Sequence, residues 1–307
     1  MSKSKGPDFL IVGLERSGTS WVSALLNSHP EIACIPPMPF RKESGEFREI
    51  GEIHLFNTLA SLEVGTTDKF TRPVANYKTT DIKIFADFAD LEGKIPKEEL
   101  YNTFIERYNE LCESYRKGKK LVGESTPAYV FHLNFIDRFY PGIKKLCIIR
   151  DPKDKVVSWH FNLVRKGRKQ EDEKISDEFI KEYCETRIAK EYQALLDYQG
   201  QIHCFTYEAL THNPRKVVSG VLRHLEVNDD IALTDQMVKE ASFENLTAKD
   251  SGRGRQQGEQ SLKSHFRKGI IGDWKTHLTN TQIHYIEGET LQLRKEVFEK
   301  YRVDPIE

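Results

Sequence analysis

Four apolar residues stopped by a glycine, Phe9-Leu10-Ile11-Val12-Gly13, lead directly into a turn of small and hydroxylic residues and then a helical repeat. This stretch constrains the chain more than any other. The apolar run fits a short strand buried on both faces of a parallel sheet. Trp21, Val22, Leu25 and Leu26 recur at helical spacing until His29-Pro30 closes the segment. The turn between them, Arg16-Ser17-Gly18-Thr19-Ser20, meets the unpaired N–H groups and positive dipole end of a helix start, and Gly18 leaves room for close approach. Thr19 and Ser20 add hydroxyl donors, and Arg16 adds a charge that stays on at any physiological pH. The pattern predicts strand, anion-holding turn, helix; by itself it is also compatible with an ordinary βα turn.

The spacing Gly13-x-x-x-x-Gly18-Thr19-Ser20 is that of a nucleotide P-loop, except that Thr19 stands where the motif has Lys. That Lys serves the β- and γ-phosphates of a triphosphate, so its absence favours a nucleotide with a shorter 5′ arm. The 307 residues suit one large α/β domain, with 38% hydrophobic and 30% charged residues. Lys and Arg number 46 against 47 Asp and Glu, so no global basic field points to nucleic acid or an anionic membrane, and an anion site must be local. No apolar run is long enough for a signal peptide or membrane anchor, so a cytoplasmic protein is expected. Cys34, Cys112, Cys147, Cys184 and Cys204 form no C-x-x-C pair, which disfavours a disulfide framework and a zinc site.

Along the chain, Ile32–Ile35 reads as a second strand, Pro36-Pro37-Met38-Pro39 as loop, and 40–95 as irregular and substrate-facing. A helix is predicted from Pro96 to Tyr115, a strand over Lys120–Gly123, a helix over Tyr129–Tyr140, a strand over Lys145–Ile149 and a helix across Val156–Val164. One long helix over 176–199, a strand over Ile202–Phe205, helices at 214–226 and 234–241, a polar glycine-rich loop over 247–262 and a last helix from Asn280 to Tyr301 complete the reading. Residues 247–266 are expected to face substrate or move. The alternation predicts a single α/β domain with a P-loop-like, mostly parallel central sheet flanked by helices.

Two further elements carry anion chemistry. Arg150 ends a buried strand, the edge at which open α/β sheets bind ligands, and Ser158 lies two turns into the next helix. His265-Phe-Arg267-Lys268-Gly269 sets adjacent cations beside glycine and runs on into Gly272-Asp273-Trp274-Lys275. Together with Arg16-Ser-Gly-Thr-Ser-Trp21, these resemble the nucleotide elements of sulfotransferases that use 3′-phosphoadenosine 5′-phosphosulfate (PAPS): a 5′-phosphosulfate loop, the 3′-phosphate pair Arg150 and Ser158, and the Arg-Lys-Gly segment Arg267, Lys268 and Gly269. The resemblance spans residue 8 to about 285. It implies PAPS as donor, adenosine 3′,5′-bisphosphate as product, no metal, a loop that folds over the nucleotide, and adenine contacts from Trp21, Tyr207 and Phe243. Aromatic faces suit a base. Ala241 replaces the family's usual Thr two residues before that Phe.

Sulfuryl transfer needs a base for the acceptor hydroxyl and positive charge opposite the leaving oxygen, for which Arg16 is placed. Cytosolic members have a His, and heparan sulfate sulfotransferases a Lys, where this chain has Ser125 in Gly123-Glu-Ser-Thr-Pro127. Gly51-Glu52-Ile53-His54-Leu55-Phe56 is similar to the segment that supplies a Glu base in the heparan sulfate enzymes, which implies Glu52 as base, with His54 a neighbour or the base itself. Glu43, Glu46, Glu49 and Glu124 compete. The acceptor is expected to be a hydroxyl of a small molecule, lipid or glycan. The usual cytosolic dimer segment is degenerate, Lys275 and Thr279 being kept while Asn280 and His284 replace Val and Glu. The alternatives are a P-loop-type nucleotide kinase, with Asp151 on Mg²⁺, and a nucleotide-binding module without catalysis, the latter motivated by Ser125.

Overall fold

A computed structural model describes residues 5–35, 38–41, 47–64 and 91–304. At its centre lies a five-stranded sheet of order β2-β5-β1-β6-β7, with strands β1 (Phe9–Val12), β2 (Ile32–Ile35), β5 (Leu121–Ser125), β6 (Lys144–Ile149) and β7 (His203–Thr206). Every neighbouring pair is parallel. Phe9, Leu10, Ile11 and Val12 are fully buried, because β1 is central and both of its faces are covered. The chain leaves β1 toward β2 and later crosses to β6 on the other side. The strand order therefore reverses at the carboxyl end of β1, the place where such sheets leave a ligand crevice.

Helix α1 (Thr19–Asn27) follows β1 directly and buries Val22, Leu25 and Leu26 against the sheet. Helix α2 is Leu55–Val64 and α3 is Lys97–Arg116, the latter burying Leu100, Tyr101, Phe104 and Tyr108. After β5, a 3₁₀ segment, Pro127–His132, precedes the short α4 (Leu133–Asp137). Helix α5 (Pro152–Arg165) follows β6. Then come α6 (Asp177–Tyr183), α7 (Ala189–Asp197), α8 (Tyr207–His212), α9 (Pro214–Leu225), α10 (Ile231–Glu240), α11 (Phe243–Ser251) and α12 (Asn280–Tyr301). Among the described residues no helix is long and apolar enough to cross a membrane. All five cysteines are buried.

Five expectations need correction. Met38 and Pro39 are not loop: they belong to β3 (Met38–Arg41), which pairs antiparallel with β4 (Phe47–Gly51), with a register shift between Pro39 and Phe40. A two-stranded ribbon has only edge strands, so a proline lacking its N–H is tolerated there. Within 40–95, β4 and α2 are regular; Pro36, Pro37, 42–46 and 65–90 lie outside the described residues. The helix read at Tyr129–Tyr140 is a 3₁₀ segment plus five residues of α-helix, and the one at 176–199 is interrupted by a π segment, Cys184–Ile188. The loop begins later than 247, because Ser242 caps α11 through the Asn245 N–H and the helix runs to Ser251, where Gly252 in the left-handed region ends it.

Candidate functional site

The turn after β1 sits at the strand-order reversal, and side chains from far apart in the chain gather over it. Arg16, itself at φ 72, donates from Nε to Ser158 Oγ at 3.1 Å and from Nη2 to the His265 carbonyl at 3.1 Å. Arg150 donates from Nη1 to the Arg16 carbonyl at 3.2 Å and from Nη2 to the Ile270 carbonyl at 3.1 Å. The ring nitrogen Nε2 of His265 lies 3.2 Å from Ser20 Oγ. The turn, the β6–α5 junction and the 265–270 segment thus form one cluster. Burial first, and then neighbouring Arg150 and Arg165, lower the Arg16 guanidinium to about 10, still fully charged near neutrality. Burial together with Arg16 and Arg165 pushes His265 down to about 3, so its imidazole is neutral.

Two buried polar atoms in this cluster have no partner: Ser17 Oγ and Arg150 Nε. A buried donor without a partner is costly. Both are donor groups suited to anionic oxygens. Gly18 sits at φ 107, and a Cβ there would lie 2.9 Å from the Tyr207 ring, so glycine is what permits the turn to pack so closely.

The aromatic residues named from the sequence adjoin the same cluster. The Arg150 guanidinium lies 4.2 Å from the centroid of the Tyr207 ring. Trp21 meets Tyr207 edge-on with centroids 5.5 Å apart and donates its indole N–H to the Ala241 carbonyl at 2.9 Å. That bond ties α1 to the α10–α11 junction, from which Phe243 starts α11. Gly269 is at φ 66, and a Cβ there would fall 2.3 Å from the Phe243 ring.

Arg267 and Lys268 both pair with Asp273, Lys268 at 2.7 Å, while the Arg267 guanidinium lies 4.4 Å from the Phe161 centroid. The segment is fastened to α5 by Asp154, whose carboxylate accepts the Gly272 N–H at 2.7 Å and the Trp274 N–H at 3.2 Å. Under the turn, Glu191 accepts the Leu14 N–H and pairs with Lys155, both side chains being fully buried. Sequence reasoning missed Asp154, Asp273, Glu191 and His265 as parts of the site. Asp154, His265 and Asp273 lie inside motifs already singled out, but their partners are visible only once the chain is folded.

On the other side of the turn stand the acid–base candidates. Glu52 Oε2 is 3.2 Å from His54 Nε2. His54 Nδ1 lies 3.4 Å from Asn57 Oδ1, and Asn57 Nδ2 donates to the Ala128 carbonyl at 3.5 Å. Flipping the amide would set Asn57 Oδ1 against that carbonyl, so Oδ1 faces His54, and both imidazole nitrogens then face acceptors. This favours the imidazolium. Burial alone would lower the His54 pKa, but the hydrogen bond and charge of Glu52 raise it; burial alone would raise Glu52, and His54 holds it below the ordinary carboxylate value. Glu52 and His265 influence each other electrostatically, so the pair adjoins the turn.

Glu124 is different. It is 1% exposed and accepts from Tyr108 at 2.7 Å and Thr126 at 3.3 Å, so its carboxyl is sealed from solvent. Asp151 caps α5 by accepting the Lys153 N–H at 2.8 Å, which commits the carboxylate that a kinase reading would give to Mg²⁺. Thr279 serves the capping box of α12. Glu43 and Glu46 lie outside the described residues, as does the side chain of Glu49.

A family model described as the sulfotransferase domain matches residues 6–293. Cytosolic sulfotransferase 3 of Arabidopsis thaliana is 27% identical over 174 residues, 50% of this chain and 55% of that protein. Sulfotransferase 1E1 of Cavia porcellus is 27% identical over 238 residues, 67% of this chain and 78% of that protein. The chain spans about half the length of the Arabidopsis relatives it matches first, 55% and 48%. Among solved structures, mouse sulfotransferase SULT7A1 complexed with PAP aligns at a TM-score of 0.52 and 15% identity, over 98% of this chain and 86% of that one, a likeness of fold.

Proposed function

The chain belongs to the sulfotransferase family, and from that premise we propose that it transfers a sulfuryl group from PAPS to the hydroxyl of a small-molecule, lipid or glycan acceptor. One observation carries this reading: Arg16, Ser158 and Arg150 are linked in a chain of hydrogen bonds that ends on the segment holding Arg267 and Lys268. Donors from three separate parts of the sequence are therefore neighbours, which supports a nucleotide with phosphates at both ends. The unpartnered Ser17 Oγ and Arg150 Nε support the fit. Ser17, Gly18, Thr19 and Ser20 would hold the 5′ arm with the α1 N–H groups. Arg150, Ser158, Arg267 and Lys268, with the Gly269 backbone, would hold the 3′-phosphate. Trp21, Tyr207 and Phe243 would enclose the adenine.

When bound, PAPS would supply the sulfuryl group and a phosphate leaving group. Glu52 takes the acceptor proton: its pKa is held below the ordinary carboxylate value and its side chain is 36% exposed, whereas both ring nitrogens of His54 are turned to other groups, Glu52 and Asn57. His54 orients the carboxylate. Arg16, charged near neutrality, would face the 5′ arm and stabilise the negative charge of the departing phosphate. The names of the cytosolic relatives support a cytoplasmic location, which cell fractionation tests.

A kinase on this sheet would keep the P-loop Lys; Thr19 stands there. Comparing the thermal stabilisation given by adenosine 3′,5′-bisphosphate with that given by ATP and Mg²⁺ tests the donor, since binding to the folded state raises the melting point. Stabilisation by ATP alone would overturn the assignment. Incubation with PAPS and a panel of phenols, sterols and glycans, read by mass spectrometry for the gain of one SO₃, tests catalysis. Tight bisphosphate binding with no mass gain across the panel would favour the binding-module reading.

A further inference from the structure

Residues 252–272 contain no helix or strand, yet one buried side chain fixes much of this segment. Arg255 is 9% exposed. It donates from Nη1 to the carbonyls of Glu259 and Arg267, both at 2.8 Å, and from Nη2 to the carbonyl of Phe266, while its own N–H donates to Thr247 Oγ1 at 2.8 Å. Its guanidinium lies 5.3 Å from the centroid of Phe243, the ring that Gly269 approaches. The remaining carbonyl of the cationic pair, that of Lys268, accepts the Gly258 N–H at 2.9 Å, and the Arg267 carbonyl also takes the Ser261 N–H at 3.1 Å. The backbone of Phe266, Arg267 and Lys268 is therefore pinned from one side by its own loop. Its two cations reach Asp273, and Arg267 Nη1 also donates to Gln260 Oε1 at 3.3 Å.

A single guanidinium suits this because its donors form a rigid planar fork whose geometry is set in advance, whereas an ammonium on a flexible stem must be ordered to make each bond. Carbonyl oxygens bonded to a charged donor are held more tightly than by neutral ones. Nothing in the sequence motifs assigns Arg255, which falls in the polar stretch read as a flexible loop.

We propose that Arg255 is a positioning residue for the Arg267–Lys268 pair and thereby a determinant of specificity for adenine nucleotides that carry a 3′-phosphate. This rests on the reading of Arg267 and Lys268 as the 3′-phosphate clamp. With Arg255 in place the two cations are held ready before the nucleotide arrives, so little ordering is lost on binding. Without it the clamp moves, while the turn at residues 13–20, which would hold the 5′ arm, keeps its backbone hydrogen bonds, Ser17 N–H to the Leu14 carbonyl and Trp21 N–H to the Gly18 carbonyl, and stands to lose only its contacts with His265.

The test is a ratio. Dissociation constants for adenosine 3′,5′-bisphosphate and adenosine 5′-phosphate are measured by calorimetry for the unmodified chain, R255K and R255Q, each with a melting curve. The expected result is that the unmodified chain prefers the bisphosphate, and that both variants lose about tenfold or more of that preference with adenosine 5′-phosphate binding nearly unchanged. A general loosening of the fold would weaken both nucleotides alike, and that outcome overturns the proposal, as does an unchanged ratio. Should R255Q fail to fold, R255K decides, because Lys keeps the charge but not the pre-organised planar fork. If the unmodified chain shows no preference for the bisphosphate, the clamp reading itself falls and Arg255 loses its role with it; a preference that survives in the variants removes Arg255 alone.

Discussion

Replacing Glu124 by Gln should make folding stability less sensitive to pH, and by a predictable amount. The carboxyl lies near the end of β5 with Leu10 and Ile35 as its neighbours across the sheet, and it is almost fully buried. Burial raises its pKa from 4.5 to about 7, and the hydrogen bond from Tyr108 offsets only part of that. Between those values the folded chain holds a proton that the unfolded chain has released. Stability from this group is therefore fully present below 4.5 and is lost as pH rises toward about 7. At about 1.4 kcal/mol per pH unit the loss comes to about 3 kcal/mol. Gln is isosteric, still accepts from Tyr108 and can donate to Thr126, whose hydroxyl rotates to receive it. Urea unfolding of both proteins at about pH 5 and about pH 8.5 reads the difference: the unmodified chain should lose about 2–3 kcal/mol more than E124Q between the two conditions. Parallel behaviour of the two proteins across that range would refute the argument, because it would mean that Glu124 ionises in the folded chain as it does in water.

Three shorter predictions concern the site and its support. E52Q should lower kcat by about 100- to 10,000-fold with bisphosphate affinity unchanged, and the acid limb of kcat/KM should lie below the ordinary carboxylate value of 4.5 because His54 holds Glu52 down; undiminished turnover in E52Q would remove Glu52 as base. K155M strands the Glu191 carboxylate in the core beneath the turn and should cost about 3–5 kcal/mol in urea unfolding, so a loss under about 1 kcal/mol would contradict the buried pairing. In G269A a Cβ must fit at φ 66 against the Phe243 ring, and calorimetry should find bisphosphate binding about tenfold weaker; an unchanged dissociation constant would count against Phe243 and Gly269 as one wall of the site.

The strand–turn–helix at residues 9–27 was legible because its determinants are local: four apolar residues fully buried at the sheet centre, a glycine where the backbone turns left-handed, and a helical repeat facing the sheet. The same holds for α3, β6, α9 and α12, whose periodicity or apolar runs set their class without help from elsewhere. Local pattern failed where a neighbour decides the outcome. Pro39 becomes strand because a partner at Ile50 supplies the ladder, and residues 247–251 become the end of α11 because Ser242 caps it. For the site, residue types alone marked Arg16, Arg150, Ser158, Arg267 and Lys268 as anion donors; their meeting point had to wait for the fold, since Arg16 lies 142 residues from Ser158 and 249 from His265 in the chain. Whether a charged group is spent or available depends on what faces it, and that belongs to tertiary structure. Asp151 caps a helix and Glu124 is sealed by Tyr108 and Thr126, while Glu52 keeps an exposed edge beside His54. The sequence determined which chemical groups the protein owns and the local geometry of its phosphate-type turn; burial and distance, which only the packed chain fixes, decided which of them can act.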